Sequence, residues 1–168
     1  FNKINLYHNY IIFNNDPRNK NIGKKLIQNS PTLENIKEIN EKEYHALLIK
    51  NKVPYSPYDL QQQKSLLLEN NFDNLNAISW DKGCYIGQEI TARMKYRALL
   101  KKKLYALKIV SGSISTGEKI YNNGNTLGEV ISRSNQYLFC MLRIEFVEEK
   151  SLNKKLLKIN SAVTLQFL

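Results

Sequence analysis

Lys82-Gly83-Cys84-Tyr85-Ile86-Gly87-Gln88-Glu89, followed by Thr91-Ala92-Arg93 and Tyr96-Arg97, is the stretch on which the reading of this chain turns. After Trp80-Asp81 the chain turns through Gly83 and enters a helix-compatible run from Tyr85 to Arg97, in which Ile86, Ile90 and Met94 recur every fourth residue. Cys84 is thereby placed at or near a helix N-terminus. Unpaired backbone N–H groups and the positive end of the helix dipole favour an anion there, and so a thiolate over a thiol. Lys82, and Arg93 one or more turns on, add positive charge. Two readings of the cysteine stand side by side, a small buried hydrophobe and a reactive or metal-binding thiol. Gly87, inside the first helical turn, costs up to roughly 1 kcal/mol relative to alanine. It is either tolerated or marks a close approach by another backbone or a ligand.

Downstream the texture changes. From about Leu100, KLYALKIV, EKIY, TLGEVISR, QYLFCMLRIEF and AVTLQFL read as short strands separated by the turn formers SGS, NNGN and SNQ. That spacing predicts a small antiparallel barrel or sandwich. Cys140 lies inside the apolar run YLFCMLRIEF and is expected to pack in a core strand.

Upstream, the alternating segment INLYHNYIIF, beginning at Phe1, reads as a strand, and Gly23 to Ile27 as a short return strand beyond the polar loop 14–25. Helical patterns follow. Thr32 is placed to cap LENIKEI, and Glu41 to Lys50 sets Tyr44, Leu47 and Leu48 on one face. Pro54 and Pro57 break the pattern before the helix-like DLQQQKSLL. His8 and His45 lack metal-ligand spacing and read as packing or surface residues. The fold class expected is α+β, with residues 1–99 a partial α/β unit and 100–168 a β-barrel.

A chain of 168 residues is long enough to bury roughly 70% of its unfolded surface. Its 42% hydrophobic content and mean hydropathy of −0.45 describe a globular protein. No apolar run approaches the length of a membrane span, and Arg143 interrupts the nearest, Tyr137 to Ile144. Two cysteines far apart argue against a disulfide framework and for a reducing compartment. The net charge of +10 includes a cluster, Arg93, Lys95, Arg97, Lys101, Lys102 and Lys103, with Tyr96 and Tyr105 alongside. Such a cluster can bind phosphates and stack a base, steer a polyanionic small ligand, or form an ordinary solvated surface.

The run KGCYIGQE with TAR at 91–93 and Tyr96-Arg97 resembles the signature of the YgfZ family, folate-binding-type proteins related to the aminomethyltransferase of the glycine cleavage system (GcvT). The lead-in from Lys64 to Tyr85, with Asp59 before it, and the later KKKLYAL and GNTLGEVISR fit the same family. The resemblance runs from about Tyr44 to about Ile144. Ala98 departs from it, since the family usually has glycine after Tyr-Arg.

The resemblance implies the C-terminal part of a GcvT/YgfZ-like fold, an α/β portion followed by a β-barrel, with the family's N-terminal portion expected ahead of it. It implies an accessory factor for iron–sulfur cluster assembly or repair with a tetrahydrofolate-type ligand and without established turnover. Carried over by residue, Cys84 is the redox or cluster-contacting thiol, Lys82 the neighbouring cation, and Gly83 and Gly87 points of close approach. Tyr85, Gln88 and Glu89 complete the motif, the last two orienting turn and helix. Glu69 is a candidate to accept from a pterin ring, or else an exposed loop acid. Arg93, Tyr96 and Arg97 are further folate-contact candidates. Only one cysteine lies in the motif, so an iron–sulfur cluster would be shared with a partner. The partners implied are iron–sulfur assembly or target proteins, for a monomer in a bacterial cytoplasm or a eukaryotic mitochondrial matrix. The other classes kept in view are a folate-dependent aminomethyltransferase and a module binding transfer RNA through residues 93–103.

Overall fold

The computed structural model describes residues 4–7, 10–13, 15–28, 37–97, 100–122, 124–151, 156–159 and 162–168. His8, the Thr32 cap and Ala98 lie outside these residues. The opening segment is two strands rather than one. β1 (Ile4–Tyr7), β2 (Tyr10–Phe13) and β3 (Lys25–Gln28) form an antiparallel sheet in that order, with Tyr7 paired to Tyr10 and Phe13 to Lys25. Between β2 and β3 the polar loop is closed by its own charges. Arg18 donates through Nε and Nη2 to the two oxygens of buried Asp16 at 3.0 and 2.8 Å, a forked pair that raises the guanidinium pKa further above its ordinary value.

Helix α1 (Glu41–Lys50) starts where expected, because Asn40 and Glu43 cap each other. Asn40 Oδ1 accepts the Glu43 N–H at 2.8 Å and Glu43 Oε2 accepts the Asn40 N–H at 3.0 Å. Its buried face is His45, Ala46, Leu48 and Ile49, rotated from the expected Tyr44, Leu47 and Leu48, of which Tyr44 and Leu47 are half-buried. The expected helix at DLQQQKSLL is replaced by a short α2 (Ser56–Asp59) upstream and by turns from Gln61. Three consecutive glutamines present no apolar face to bury, Leu66 and Leu67 stay exposed, and Gln63 adopts a left-handed φ of 62°. Helix α3 (Gln88–Tyr96) follows the motif loop.

The second sheet has β4 (Lys102–Ser111), β5 (Lys119–Asn122), β6 (Asn125–Ser134), β7 (Tyr137–Arg143), β8 (Leu156–Ile159) and β9 (Val163–Phe167), in the order β5-β6-β7-β4-β9-β8. Every pairing is antiparallel, and the sheet curls so that its edge strands β5 and β8 approach each other. Helix α4 (Ile144–Ser151) takes over from β7 at Ile144, so the RIEF end of the expected strand is helical and turns Phe146 and Val147 into the core. Inside the curl pack Leu107, Ile120, Val130, Leu138, Cys140, Leu142 and Leu165. Cys140 is fully buried there, as its strand pattern predicts, and desolvation holds its thiol far above the ordinary range. Strands β6 and β7 come so close at Gly128 that a Cβ there would overlap the Met141 carbonyl oxygen.

An apolar cluster and a pair of hydrogen bonds are among the contacts that join the upstream part to this sheet. On its outer face Leu104, Ala106 and Phe139 cluster with Ile49 of α1. Leu104 at the start of β4 donates its N–H to the Glu69 carbonyl at 2.7 Å, and its own carbonyl accepts from Asn71 Nδ2 at 2.6 Å. Among the described residues, no helix is long and apolar enough to cross a membrane.

Candidate functional site

The motif forms a loop and a late helix start. Gly87, at a left-handed φ of 87°, is the N-cap, and its carbonyl accepts from the N–H and the hydroxyl of Thr91 at 3.4 and 3.1 Å. Helix α3 therefore begins at Gln88 rather than Tyr85. Gln88 closes the turn ahead of it, because Gln88 Oε1 accepts the Tyr85 N–H at 3.2 Å while the Gln88 N–H donates to the Tyr85 carbonyl at 3.1 Å. Cys84 is exposed in this loop, three positions before the cap, so the helix dipole, which decays within a turn, reaches it only weakly. Lys82 lies with its ammonium 4.4 Å from the Tyr85 ring. A Cβ at Gly83 or Gly87 would meet nothing within 4 Å, so the need for glycine at position 87 is conformational.

The face expected to carry the apolar series is open. Ile86 and Ile90 are exposed, Met94 is half-buried, and Thr91 is the buried residue of α3. What anchors the helix is its far end. Lys95 Nζ sits 3.6 Å from the Trp80 ring centroid and 5.5 Å from that of Tyr96, and the two rings meet edge to face at 6.4 Å.

Charges in the basic cluster are mostly committed. Arg93 pairs with Glu89 one turn back, Lys102 Nζ lies 3.6 Å from Glu69, and Lys103 Nζ lies 3.9 Å from Asp73. Arg97 and Lys101 have no ion pair among the described residues.

Glu69 is buried rather than an exposed loop acid, held by its main chain on β4 and by Lys102. It lines cavities of about 160 and 770 Å³. Arg93, Tyr96, Arg97 and Cys84 line neither of these two. Among the described residues no group of three or more His, Cys, Asp or Glu is clustered to hold a metal ion.

No family model matches the chain. It is 33% identical over 97 residues to the iron-sulfur cluster assembly factor IBA57, mitochondrial, of Mus musculus, an alignment covering 56% of this chain and 27% of that protein. The Homo sapiens protein of the same description is 30% identical over 122 residues, covering 68% of this chain and 34% of its own length. Over 37 residues the identity to the tRNA-modifying protein YgfZ of Blochmanniella pennsylvanica (strain BPEN) is 60%, covering 22% of this chain and 11% of that protein. The chain belongs to the YgfZ family. It spans about a third or less of the length of these curated relatives. The curled six-stranded sheet with its helices is the α+β architecture expected of part of a YgfZ-family protein.

One constellation in this YgfZ-family chain has no counterpart in the sequence reading. His45 Nε2 lies 2.9 Å from Asp59 Oδ1, the Ser132 hydroxyl donates to the same oxygen, and Asp59 Oδ2 accepts the Tyr55 N–H at 2.7 Å. All three side chains are buried, where α1, α2 and β6 meet. Spacings of 14 and 73 residues from Asp59 match no motif, so nothing in the linear pattern singles the three out.

Proposed function

We propose that this YgfZ-family chain serves the assembly or repair of iron–sulfur proteins, presenting Cys84 as the thiol that meets a partner's cluster or a redox partner. The observation that carries this reading is the exposure of Cys84 on a glycine-flanked loop, beside the exposed side chains of Lys82, Ile86 and Ile90. A soft thiolate suits iron, and a lone motif cysteine suits a cluster that is cargo shared with another protein, since a cluster held by one chain normally needs several thiolates. The partners are then iron–sulfur assembly or target proteins. The names of the mouse and human relatives support this role and carry the word mitochondrial. The corresponding compartment is the mitochondrial matrix for a eukaryotic source and the cytoplasm for a bacterial one.

A tetrahydrofolate-type ligand belongs to the reading through the family. Glu69 is the group suited to accept from a pterin ring, but it faces Lys102 and stands apart from Arg93, Tyr96 and Arg97. With four of its six cations engaged by Glu89, Trp80, Glu69 and Asp73, the cluster 93–103 gives nucleic acid a weaker footing than its sequence implies.

The test is Cys84→Ser in a full-length YgfZ-family protein, expressed in a strain that depends on it. Sulfur and oxygen are close in size, but only the thiolate is a soft ligand. Iron–sulfur enzyme activities should fall while the protein level stays unchanged. Full restoration of those activities by the serine variant would remove the thiol from the mechanism.

A further inference from the structure

We propose that the junction of α1, α2 and β6 binds a small phosphorylated heteroaromatic ligand of mononucleotide size, its ring on the exposed side of Tyr58 and its phosphate beside Lys42 and Arg133. Cys84 and its motif line no part of this junction.

A cavity of about 580 Å³ opens where His45, Tyr58, Ser132 and Ser134 meet. Small-molecule sites are typically roughly 300–1,000 Å³. His45, only 5% exposed, forms part of its lining. A carboxylate only accepts, so the short contact to Asp59 puts the imidazole hydrogen on Nε2. Nδ1 then has no protein partner, yet it is not sealed: among the described residues Asp73 Oδ1 is the buried side-chain atom that lacks one. Nδ1 is the ring nitrogen left for an incoming group.

The serine hydroxyls around it have already used their hydrogens. Ser132 donates to Asp59 and Ser134 to the Lys42 carbonyl. Each offers an incoming molecule lone pairs. An acceptor-rich wall selects amino and ring N–H groups, the edge chemistry of a nucleobase. Tyr58 supplies the face. Its ring is 44% exposed and lies 4.8 Å from the His45 ring at a tilt of 31°, so a planar ring can stack against it.

A second depression of about 370 Å³ shares Lys42, Thr116 and Arg133 with the first and adds Ser115 and Asn135. Neither cation is ion-paired among the described residues. Arg133 is held in place by carbonyls instead, Nε to Asn135 at 3.1 Å and Nη1 to Ile114 at 2.7 Å, which fixes the guanidinium and leaves its charge uncancelled. A fixed guanidinium with an ammonium and hydroxyls beside it suits a phosphate. Lys42 and Arg133 line both depressions whereas Glu41 lines only the inner one, so the outer end is the one with cations and no carboxylate.

The experiment is an NMR titration of the ¹⁵N-labelled chain with adenosine monophosphate and guanosine monophosphate, with adenosine and inorganic phosphate as separate arms. A nucleotide should move the His45 Nδ1 resonance and the amides of 41–45 and 131–135 saturably, with Kd below about 1 mM, and the two half-ligands should bind about tenfold more weakly. Tyr58→Ala and Arg133→Gln alter partly exposed side chains and should each weaken the nucleotide about tenfold. The absence of saturable shifts, equal affinity for phosphate or adenosine alone, or unchanged binding by both variants would overturn the site.

Discussion

Lys95 holds its ammonium 3.6 Å from the Trp80 ring centroid, and so ties the exposed helix α3 to the loop that precedes the motif. Exposed cation–π contacts contribute about 0.5–1 kcal/mol, enough to set the order of a helix with little else against it. Lys95→Ala should raise the acrylamide quenching constant of Trp80, the one tryptophan of the chain, while Lys82→Ala leaves it unchanged. Identical quenching in all three proteins would show that the anchor does not hold in solution.

The two thiols should separate cleanly under pulsed iodoacetamide at neutral pH. Cys84 is exposed, whereas Cys140 is buried with its thiol pushed far above its usual range, so Cys140 can react only after the sheet opens. Mass spectrometry should find Cys84 modified first and Cys140 modified only in denaturant. Equal rates would contradict the placement of β7 in the core.

Removing the acceptor at the α1–α2–β6 junction should be more damaging than removing one donor. Asp59→Ala leaves His45, Ser132 and the Tyr55 N–H without their partner, and each orphaned buried group costs about 1–3 kcal/mol. Ser132→Ala deletes one donor and should cost about 1 kcal/mol. Urea unfolding midpoints measure both. The reverse ranking would mean that the carboxylate is not what joins the helices to the sheet.

Two glycines should respond differently to alanine. At Gly128 the new methyl must displace the β6–β7 backbone, and the loss should be about 2 kcal/mol or more by thermal unfolding. At Gly87 there is open space but a φ of 87°, so the cost is the roughly 1–2 kcal/mol of the left-handed conformation. That cost should appear as reduced α3 helicity with the melting of the sheet unchanged.

Tetrahydrofolate should bind this chain weakly. Ligand pockets enclose most of a drug-sized ligand, whereas the two cavities described beside Glu69 take no wall from α3. Calorimetric titration checks this, and tight binding would place the whole folate site within these residues.

What the linear pattern could show follows from how local each cause is. Helix α1 is legible in extent because its apolar pattern and its charged first turn lie within the stretch 40–50, although its buried face is rotated from the expected one. Strands β4, β6 and β7 are legible from alternation and from turns such as the one at Asn135, which takes a left-handed φ of 54°. The four residues of β8 carry too short a pattern to distinguish from a polar loop. His45 packs in the interior, one of the two readings open to it, and the exposed reading of Glu69 fails; what no pattern shows is the partner distant in sequence on which each burial depends, Asp59 with Ser132 for one and Lys102 for the other. Cys84 is placed correctly beside a helix start, but the start is three residues late because Gly87 serves as the cap.

The paired bonds between Leu104 and residues 69 and 71 have a topological consequence. They bring residues 69–71 against the start of β4, so the stretch carrying Cys84 leaves the body and rejoins it close to one point. The entropy of bringing those ends together is spent at that point and does not depend on what the segment does beyond it.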